Sequence, residues 1–192
     1  FARSAGELDL QQLKTLLATH RLKLAAIGTG AGWVVQRLTL THPDAQIRQR
    51  ARAFVADIID AAAQFGAPAI IGSMQGRWGD GVTREQALLW LTDEMEALGS
   101  RAEARGVTLL FEPLNRYETN LFNRVPDAVE FLKKLRARNV RVLCDLFHMN
   151  IEEHSIPEAL YLAGSFLGHV HFADSNRRAV GFGHADMRAM AN

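Results

Sequence analysis

The sequence predicts an α/β protein in which repeated strand and helix units build a parallel sheet. Short runs rich in β-branched residues alternate with longer segments whose apolar residues recur at helical spacing, which is the pattern of repeated βα units. One of the runs ends at Glu112, another ends at Asp145, and a third contains His171 near its end. Strand ends converge on one centre in a closed barrel, whereas an open doubly wound sheet spreads them. We therefore expect a (β/α)8 barrel, with the doubly wound sheet as the alternative.

Each nearly continuous apolar run predicts one β-strand that is covered on both faces. Five such runs occur, at residues 22–27, 67–72, 107–112, 140–145 and 168–172. A complete barrel typically takes about 250 residues, and this chain has 192. We expect a single domain over residues 1–192 that forms part of a barrel. Strands 2–6 of the barrel would then be present, and the first strand and the last two βα units absent.

The helices are predicted from start and stop signals between these runs. Pro43 suits a first helical turn, and the apolar stripe that follows it ends at Gly66. Thr83 with Gln86 three residues later has the form of a capping box. Pro126 marks the first turn of another helix. Two shorter helices are expected over residues 10–17 and 156–163.

Composition and charge restrict the classes of function. Lys and Arg total 22 and Asp and Glu total 21, a net charge of +1, so no general positive field favours nucleic acid or an anionic membrane. The one cysteine, Cys144, lies in an apolar run, so no disulfide framework is expected. No apolar stretch approaches the roughly 18 residues of a membrane-spanning helix, and no basic N-terminal region precedes an apolar one. These features predict a cytoplasmic, enzyme-like domain.

The residues at the strand ends are of the kinds that bind divalent metals. Carboxylate oxygens mixed with imidazole suit Mn, Co, Mg or Zn, and His148 follows Asp145 by three residues. Taken singly, each has a structural explanation. Glu112 could be a turn residue, Asp145 and His148 could cap a loop, and Glu118 could be surface charge. Their occurrence at three successive strand ends favours a metal site.

Three ordered motifs carry a family resemblance. Residues 112–120 read EPLNRYETN, residues 145–153 read DLFHMNIEE, and residues 169–177 read HVHFADSNR, with Gly181 and Gly183 following. Together they resemble the xylose isomerase-like TIM barrels. The resemblance is closest to the sugar phosphate isomerase/epimerase branch, which includes ketose 3-epimerases and hydroxypyruvate isomerase-like proteins.

The resemblance implies a metal centre. Glu112, Asp145 and His171 would bind one divalent metal ion, which would be Mn, Co, Mg or Zn. The fourth ligand in such enzymes is a glutamate on the final strand, and this sequence ends before that strand. The metal would stabilise an enediolate formed when a proton next to a ketose carbonyl is removed. Glu112 would be one catalytic base, and the final-strand glutamate would act on the opposite face of the sugar.

The resemblance also implies the partners of the protein. Glu118, His148 and Arg177 would contact oxygen atoms of the substrate, which is expected to be a ketose or a sugar phosphate. Relatives of this kind suggest a homodimer or a homotetramer. Neither nucleic acid nor membrane is an expected partner.

Other functions remain open on the sequence alone. A hydroxypyruvate or inosose isomerase would share the metal site, which does not specify the length of the sugar. An endonuclease IV-like phosphodiesterase shares the barrel and an Asp-x-x-His element, but it needs further ligands and a basic surface for DNA. A barrel that binds sugar without catalysis is the third alternative, because the expected fourth ligand is missing.

Overall fold

The computed structural model describes residues 4–191 and shows, within that range, one parallel sheet of five strands with helices packed against it. The strands are β1 (Ile27–Gly28), β2 (Ala69–Ile71), β3 (Leu109–Phe111), β4 (Val140–Asp145) and β5 (Leu167–His171). The α-helices are α1 (Leu10–Thr19), α2 (Gly30–Gln36), α3 (Ala45–Ala63), α4 (Arg84–Ala104), α5 (Val125–Lys133), α6 (Leu146–Glu152), α7 (Ile156–Ala163) and α8 (Met187–Ala191). None of the helices in the described part of the chain is long and apolar enough to cross a membrane.

The strand order distinguishes between the two expected α/β folds. The strands lie in the order β1-β2-β3-β4-β5, and each is parallel to the next. A doubly wound sheet reverses its order partway, as in the arrangement 3-2-1-4-5-6. No reversal occurs among the described strands, so each βα unit adds its strand on the same side as the one before it. The observed sheet therefore has the arrangement of a barrel wall, and the doubly wound alternative is wrong.

All five predicted strands are present, but the first is shorter than expected. The sequence predicts it over residues 22–27, whereas β1 consists of Ile27 and Gly28 only. Its ladder with β2 contains two residue pairs, Ile27 with Ala69 and Gly28 with Ile70. Leu22 is 62% exposed, so the apolar residues before β1 do not pack as those of a covered strand would.

Alternation along the strands creates two different faces. Ala69, Ile71, Leu109 and Phe111 belong to the main core against the helices. Successive strand residues point to opposite faces, and the residues between them form a second, smaller cluster. It consists of Ile70, Leu110 and Leu143, with Ala26 packed against it. This second face is the inner face of the barrel wall.

The long helices begin close to the predicted positions. Pro43, however, lies before α3 and not in its first turn, because Asp44 is the N-cap and the helix begins at Ala45. The Thr83 side chain accepts a hydrogen bond from the Gln86 backbone N–H at the start of α4, as the capping box requires. Asp44 does the same for Gln46 at the start of α3. At α5, Arg124 provides no side-chain cap. Instead, Glu153 from beyond α6 accepts the Val125 N–H at 2.6 Å, which the local sequence could not indicate.

Candidate metal centre and substrate site

The two-residue period of the strands carries their inner face directly into the candidate site. Glu112 lies two residues after Leu110, and Asp145 lies two residues after Leu143. In the register between β4 and β5, Asp145 is paired with His171. The three residues predicted at the strand ends are therefore brought to one edge of the sheet. Residues two apart on a strand point to the same face. Glu112 and Asp145 therefore point to the inner face, as Leu110 and Leu143 do.

These side chains approach one another closely. One ligand atom each from Glu112, Asp145 and His148 lie within 4.8 Å of one another. His171 Nδ1 lies 3.3 Å from Asp145 Oδ2 and 3.9 Å from Glu112 Oε1. His148 Nε2 also lies 3.9 Å from Glu112 Oε1. The closest group of three at the carboxyl end of the sheet is thus Glu112, Asp145 and His148. His171, predicted as the third ligand, lies beside this group through its contacts with Asp145 and Glu112.

Gly72, at the end of β2, leaves the space in which Glu112 lies. A Cβ atom at position 72 would come within 2.7 Å of Glu112 Oε2. On the other side, the buried Gln75 side chain donates a hydrogen bond of 3.0 Å to the Glu112 carbonyl oxygen. The backbone and the carboxylate of Glu112 are therefore both held in position by the loop after β2.

The surroundings move the pKa values of the two carboxylates in opposite directions. Burial, and then the nearby charge of Asp145, raise the pKa of Glu112 to about 7. Burial acts on Asp145 too, but it is outweighed by the hydrogen bond with His171, the charge of His148 and the backbone N–H of Phe147, so the net pKa of Asp145 is lowered. Such separation of two neighbouring carboxylates is characteristic of sites that perform acid/base chemistry.

The two histidines are also in different environments. The hydrogen bond with Asp145 raises the pKa of His171, against the effect of its partial burial. Burial lowers the pKa of His148, whose side chain is 2% exposed. A neutral imidazole is the form that binds metals or donates one hydrogen bond to a substrate. The lowered pKa favours the neutral form of His148, which is available for either role.

A second group of residues lies beside the first. Arg177 Nη1 donates to Glu118 Oε1 at 3.1 Å, and the guanidinium lies over the Phe147 ring at 4.9 Å from its centroid. The Asn115 amide nitrogen lies 3.3 Å from Glu118 Oε1 and 2.8 Å from His148 Nδ1. All three residues expected to contact substrate are thus linked in one network.

Asp174 organises the loop that carries Arg177. It is 1% exposed, and its carboxylate accepts hydrogen bonds from the backbone N–H groups of Ser175, Gly181 and Ala185. Burial opposes ionisation, but these backbone bonds prevail and lower the pKa of Asp174 to about 2. The Arg177 backbone N–H donates to the Asp174 carbonyl, so the position of Arg177 depends on this loop.

A cavity of about 290 Å³ adjoins this group and includes Glu118 in its lining. Trp33 and Trp78 contribute aromatic surface, and Thr41 and Ser73 contribute hydroxyl groups. The Trp78 ring N–H donates to the Asn120 carbonyl at 2.9 Å, which fixes that ring against the loop after β3. Apolar walls with a few polar groups are typical of small-molecule sites.

The donor set fits a divalent metal ion. Carboxylate oxygens and imidazole nitrogens match the ligand preferences of Mn, Co and Zn, and carboxylates those of Mg. The charge of Asp145 contributes to the raised pKa of Glu112, and a cation between the two carboxylates would relieve that repulsion. Glu112, Asp145, His148 and His171 could each supply a ligand atom.

Some residues of the site have no signal in the sequence. Asn115 is part of the first motif, but no spacing rule indicates that it bonds both Glu118 and His148. The role of Asp174 also has no signal in the sequence, because its hydrogen-bond partners lie between one and eleven residues later in an irregular loop. The requirement for glycine at position 72 is evident only from the structure, where the Glu112 side chain occupies the space of a Cβ atom.

Comparison with known proteins identifies relatives among sugar epimerases. The chain is 35% identical over 173 residues to the D-psicose 3-epimerase of Ruminiclostridium cellulolyticum, covering 85% of this chain and 59% of that protein. The chain thus spans less than two thirds of the length of this relative. The crystal structure of D-psicose 3-epimerase with D-tagatose from Clostridium cellulolyticum H10 superposes with a TM-score of 0.82 at 29% identity, covering all of this chain and 66% of that chain.

The fold itself extends to more distant proteins. A crystal structure of an AP endonuclease, family 2, from Brucella melitensis has a TM-score of 0.81 at 18% identity, covering 96% of this chain and 72% of that chain. At this identity the similarity concerns the fold alone. Residues 1–192 also match, as a whole, the family described as "Xylose isomerase-like TIM barrel". Together with the parallel sheet, whose strands lie in sequence order, and the 35% identical relative, this match shows that the chain belongs to the xylose isomerase-like TIM barrel family.

Proposed function

We propose that this protein is a metal-dependent ketose 3-epimerase, which moves a proton on the carbon next to a ketose carbonyl. The convergence of Glu112, Asp145, His148 and His171 at one edge of the sheet supports this proposal. The similarity to a D-psicose 3-epimerase adds the substrate class. We take the substrate to be a free ketose or a sugar phosphate.

Glu112, Asp145 and His171 would hold the metal ion, which is Mn, Co, Mg or Zn. When bound, the metal supplies a Lewis acid that stabilises negative charge on the oxygen atoms of the sugar. Asp145 and His171 suit this role because their side chains lie in contact, 3.3 Å apart. The lowered pKa of Asp145 keeps its carboxylate ionised, which metal binding requires.

Glu112 is the proposed base. In the metal-free protein the pKa of Glu112 is raised to about 7. A cation bound beside Glu112 would lower this pKa and favour the carboxylate form, which accepts a proton. Epimerisation needs a group on each face of the sugar, one to remove the proton and one to return it. Glu112 would serve one face.

We propose that the five strands belong to an eight-stranded barrel whose final strand carries a glutamate as fourth ligand and second acid/base group. The chain spans 59% of the length of its 35% identical relative. Five strands are a similar share of the eight strands in a complete barrel. An intact mass measurement on the protein from its native cell tests this. An active protein with a mass near 21.3 kDa would contradict it.

His148, Glu118 and Arg177 would bind and orient the sugar. Arg177 presents several N–H donors in a fixed plane, and Glu118 accepts one of them at 3.1 Å. The remaining donors and acceptors of this pair are available to hydroxyl groups. The adjoining cavity, which Glu118 also lines, would hold the part of the sugar farther from the reacting carbon.

Solvent exchange is the direct test of the reaction. The protein with Mn²⁺ is incubated with D-psicose or D-tagatose in D₂O, and deuterium at C3 is measured by NMR together with the appearance of the 3-epimer. Deuterium at C3 is the expected result. Exchange at another carbon would indicate a hydroxypyruvate- or inosose-type isomerase instead. Binding of the sugar without exchange by the intact cellular protein would support the non-catalytic alternative.

Metal titration tests the ligand assignment separately from catalysis. Isothermal titration with Mn²⁺ should show that His171→Ala weakens binding by more than about 100-fold, beyond the 10–100-fold effect of an outer-shell partner. The matched variant His148→Ala should bind the metal nearly as tightly as the original chain, because we assign His148 to the substrate. Equal losses in both variants would contradict the assignment.

The nuclease alternative has its own test. The net charge of +1 provides no general field for a polyanion, and the endonuclease similarity concerns the fold alone. Incubation with a DNA duplex that contains an abasic site should therefore give no cleavage. Metal-dependent cleavage of that duplex would overturn the epimerase proposal in favour of the phosphodiesterase.

A further inference from the structure

The Nδ1 atom of His148 faces hydrogen-bond donors. The Asn115 backbone N–H points to it at 3.3 Å, and the Asn115 side-chain nitrogen lies 2.8 Å away. Both residues are 2% exposed. The environment of this atom is therefore determined by Asn115 and not by bulk solvent.

The orientation of the Asn115 amide follows from its other partners. Its Oδ1 accepts the Tyr117 backbone N–H at 3.0 Å, and its Nδ2 lies 3.3 Å from Glu118 Oε1. A flipped amide would direct its NH₂ group at the Tyr117 N–H and its oxygen at the Glu118 carboxylate. Both contacts would then be repulsive. The group that Asn115 presents to His148 is thus the NH₂ donor.

Two donors face Nδ1 of His148, so Nδ1 must be the acceptor when the ring is neutral. A neutral imidazole carries one N–H and one lone pair, so the lone pair lies on Nδ1 and the proton on Nε2. His148 Nε2 lies 3.9 Å from Glu112 Oε1, on the side of the candidate metal centre. The proton of His148 is therefore directed into the site.

We propose that Asn115 is a positioning residue that holds His148 in the Nε2–H tautomer. In this form His148 donates a hydrogen bond to an oxygen atom of the sugar and stays outside the ligand set of the metal. This second statement rests on the proposed epimerase function. A metal-binding histidine offers a lone pair to the metal and donates its other N–H to an acceptor. Asn115 offers donors where that acceptor would be needed.

NMR of the metal-free protein tests the tautomer directly. Long-range ¹H–¹⁵N spectra of ¹⁵N-histidine-labelled protein are recorded near pH 8.5, well above the usual histidine pKa of about 6.5. The His148→Gln spectrum assigns the ring. A protonated Nε2 and an unprotonated Nδ1 are expected. A proton on Nδ1, or equal populations of both tautomers, would overturn the proposal without the need for any Asn115 variant.

Asn115→Asp tests whether Asn115 is the cause. A carboxylate in place of the amide accepts strongly from N–H groups, so a proton should appear on Nδ1. The matched control is Asn120→Asp, which makes the same change in the same loop. Asn120 bonds Trp78 and not His148, so the His148 spectrum should not change. An unchanged spectrum in Asn115→Asp would remove the Asn115 side chain from this role, because the backbone N–H of residue 115 still faces Nδ1 in the variant.

The result for the tautomer is independent of the proposed function, because no metal or sugar is present. An intact protein that has the Nε2–H tautomer but binds no Mn²⁺ and exchanges no sugar proton would reject the function alone. If the intact enzyme is active, Asn115→Asp should lower kcat/KM for the ketose about tenfold or more, the size of one lost hydrogen bond. Unchanged kcat/KM would reject the substrate-donor role of His148.

Discussion

Glu112 and Asp145 are neighbouring carboxylates whose different surroundings decide what each can do. Glu112 is buried with few hydrogen-bond donors near its carboxylate, so its pKa rises to about 7. Asp145 also lies at the start of α6, where its side chain accepts the Phe147 N–H at 2.8 Å, and it bonds His171 as well. In the metal-free protein, the same type of group therefore holds a proton more tightly at position 112 than at position 145.

Removing the ionisable group at position 112 should abolish proton transfer. Glu112→Gln keeps the shape of the side chain but cannot accept a proton, and general acid/base groups typically contribute a factor of about 10²–10⁴ in rate. We expect deuterium exchange into the ketose to fall by at least about 100-fold in the metal-loaded enzyme. Glu130→Gln is the control, because Glu130 is exposed on α5 and pairs only locally with Lys133. Undiminished exchange in Glu112→Gln would remove Glu112 from the mechanism.

The raised pKa of Glu112 also predicts how stability depends on pH. Its folded-state pKa of about 7 exceeds the ordinary value of 4.5, so the folded protein binds the proton more tightly than the unfolded chain. The contribution of Glu112 to the free energy of unfolding of the metal-free protein should therefore fall as pH rises from about 4.5 to about 7. His171, whose pKa is also raised, contributes in the same direction. The lowered pKa values of His148 and His169 act in the opposite direction.

Urea unfolding at a series of pH values measures this dependence. The free energy of unfolding of the original chain minus that of Glu112→Gln should fall over the same range, because glutamine does not titrate. Mn²⁺ competes with the proton for Glu112, so its affinity for the original chain should increase with pH up to about 7. A metal affinity independent of pH across this range would contradict a raised pKa at Glu112.

At the scale of elements, the irregular loop after β5 positions Arg177. Its hub is the Asp174 carboxylate, which accepts three backbone N–H groups at 2.7–3.2 Å. Gly183 passes so close to this carboxylate that a Cβ atom there would lie 2.1 Å from Asp174 Oδ1. The hydrogen bonds around Asp174 therefore determine where the Arg177 backbone lies.

Gly183→Ala should disturb this loop and leave the metal centre intact. We expect kcat/KM for the ketose to fall about tenfold or more, the size of one or two lost hydrogen bonds to the substrate, with unchanged Mn²⁺ affinity. Gly28→Ala is the control, since nothing lies within 4 Å of a Cβ at that position. A loss of metal affinity equal to the loss of kcat/KM would show that the loop supports the metal ligands and not Arg177 alone.

A cluster of three phenylalanine rings joins β3, the loop after it and α5. Phe122 lies 5.5 Å from Phe111 and 4.8 Å from Phe131 between ring centroids, and it is 5% exposed. Phe111 directly precedes Glu112. The packing of this cluster therefore supports the backbone that carries the proposed base.

Phe122→Ala should reduce the free energy of unfolding by about 3–5 kcal/mol, the usual cost of a buried Phe-to-Ala change. Urea unfolding followed by circular dichroism measures it. Tyr117→Ala in the same loop is the control, because Tyr117 is 76% exposed, and it should change stability by no more than about 0.5 kcal/mol. Equal effects of the two changes would mean that the cluster does not hold this loop.

At the scale of the whole molecule, β5 and the loop after it carry several exposed apolar side chains. β5 pairs with β4 on one side, and the structure gives no second partner for it among residues 4–191. Leu167, Phe172, Val180 and Phe182 are between 37% and 69% exposed. An unpaired parallel edge beside apolar side chains favours association with further polypeptide.

The 192-residue chain should therefore self-associate in solution. Light scattering at several concentrations should give a mass above the 21.3 kDa of one chain. Phe182→Ser, at a side chain that is 69% exposed, should weaken the association if this surface mediates it. Tyr161→Ser on α7, with Tyr161 84% exposed, is the matched control. A stable monomer at all concentrations would contradict this prediction.

Much of the fold could be predicted because it depends on local patterns. The five apolar runs predict β1 to β5, and the capping box at Thr83 predicts the start of α4. The first strand was predicted too long, because periodicity does not reveal which residues have a neighbouring strand to pair with. The six proposed site residues could be chosen because metal ligands and the family motifs recur at the ends of strands.

Other properties depend on residues far apart in the chain. The contact of Asn115 with His148 spans 33 residues, and the ion pair of Arg177 with Glu118 spans 59. The pKa values of Glu112 and Asp145 depend on their burial and on each other's charge. The type of side chain at each strand end follows from the amino-acid sequence, since it needs no partner to be recognised. Which of those side chains is protonated, and in which direction it donates, follows only from the tertiary structure, because hydrogen bonds and desolvation exist only once the strands are assembled.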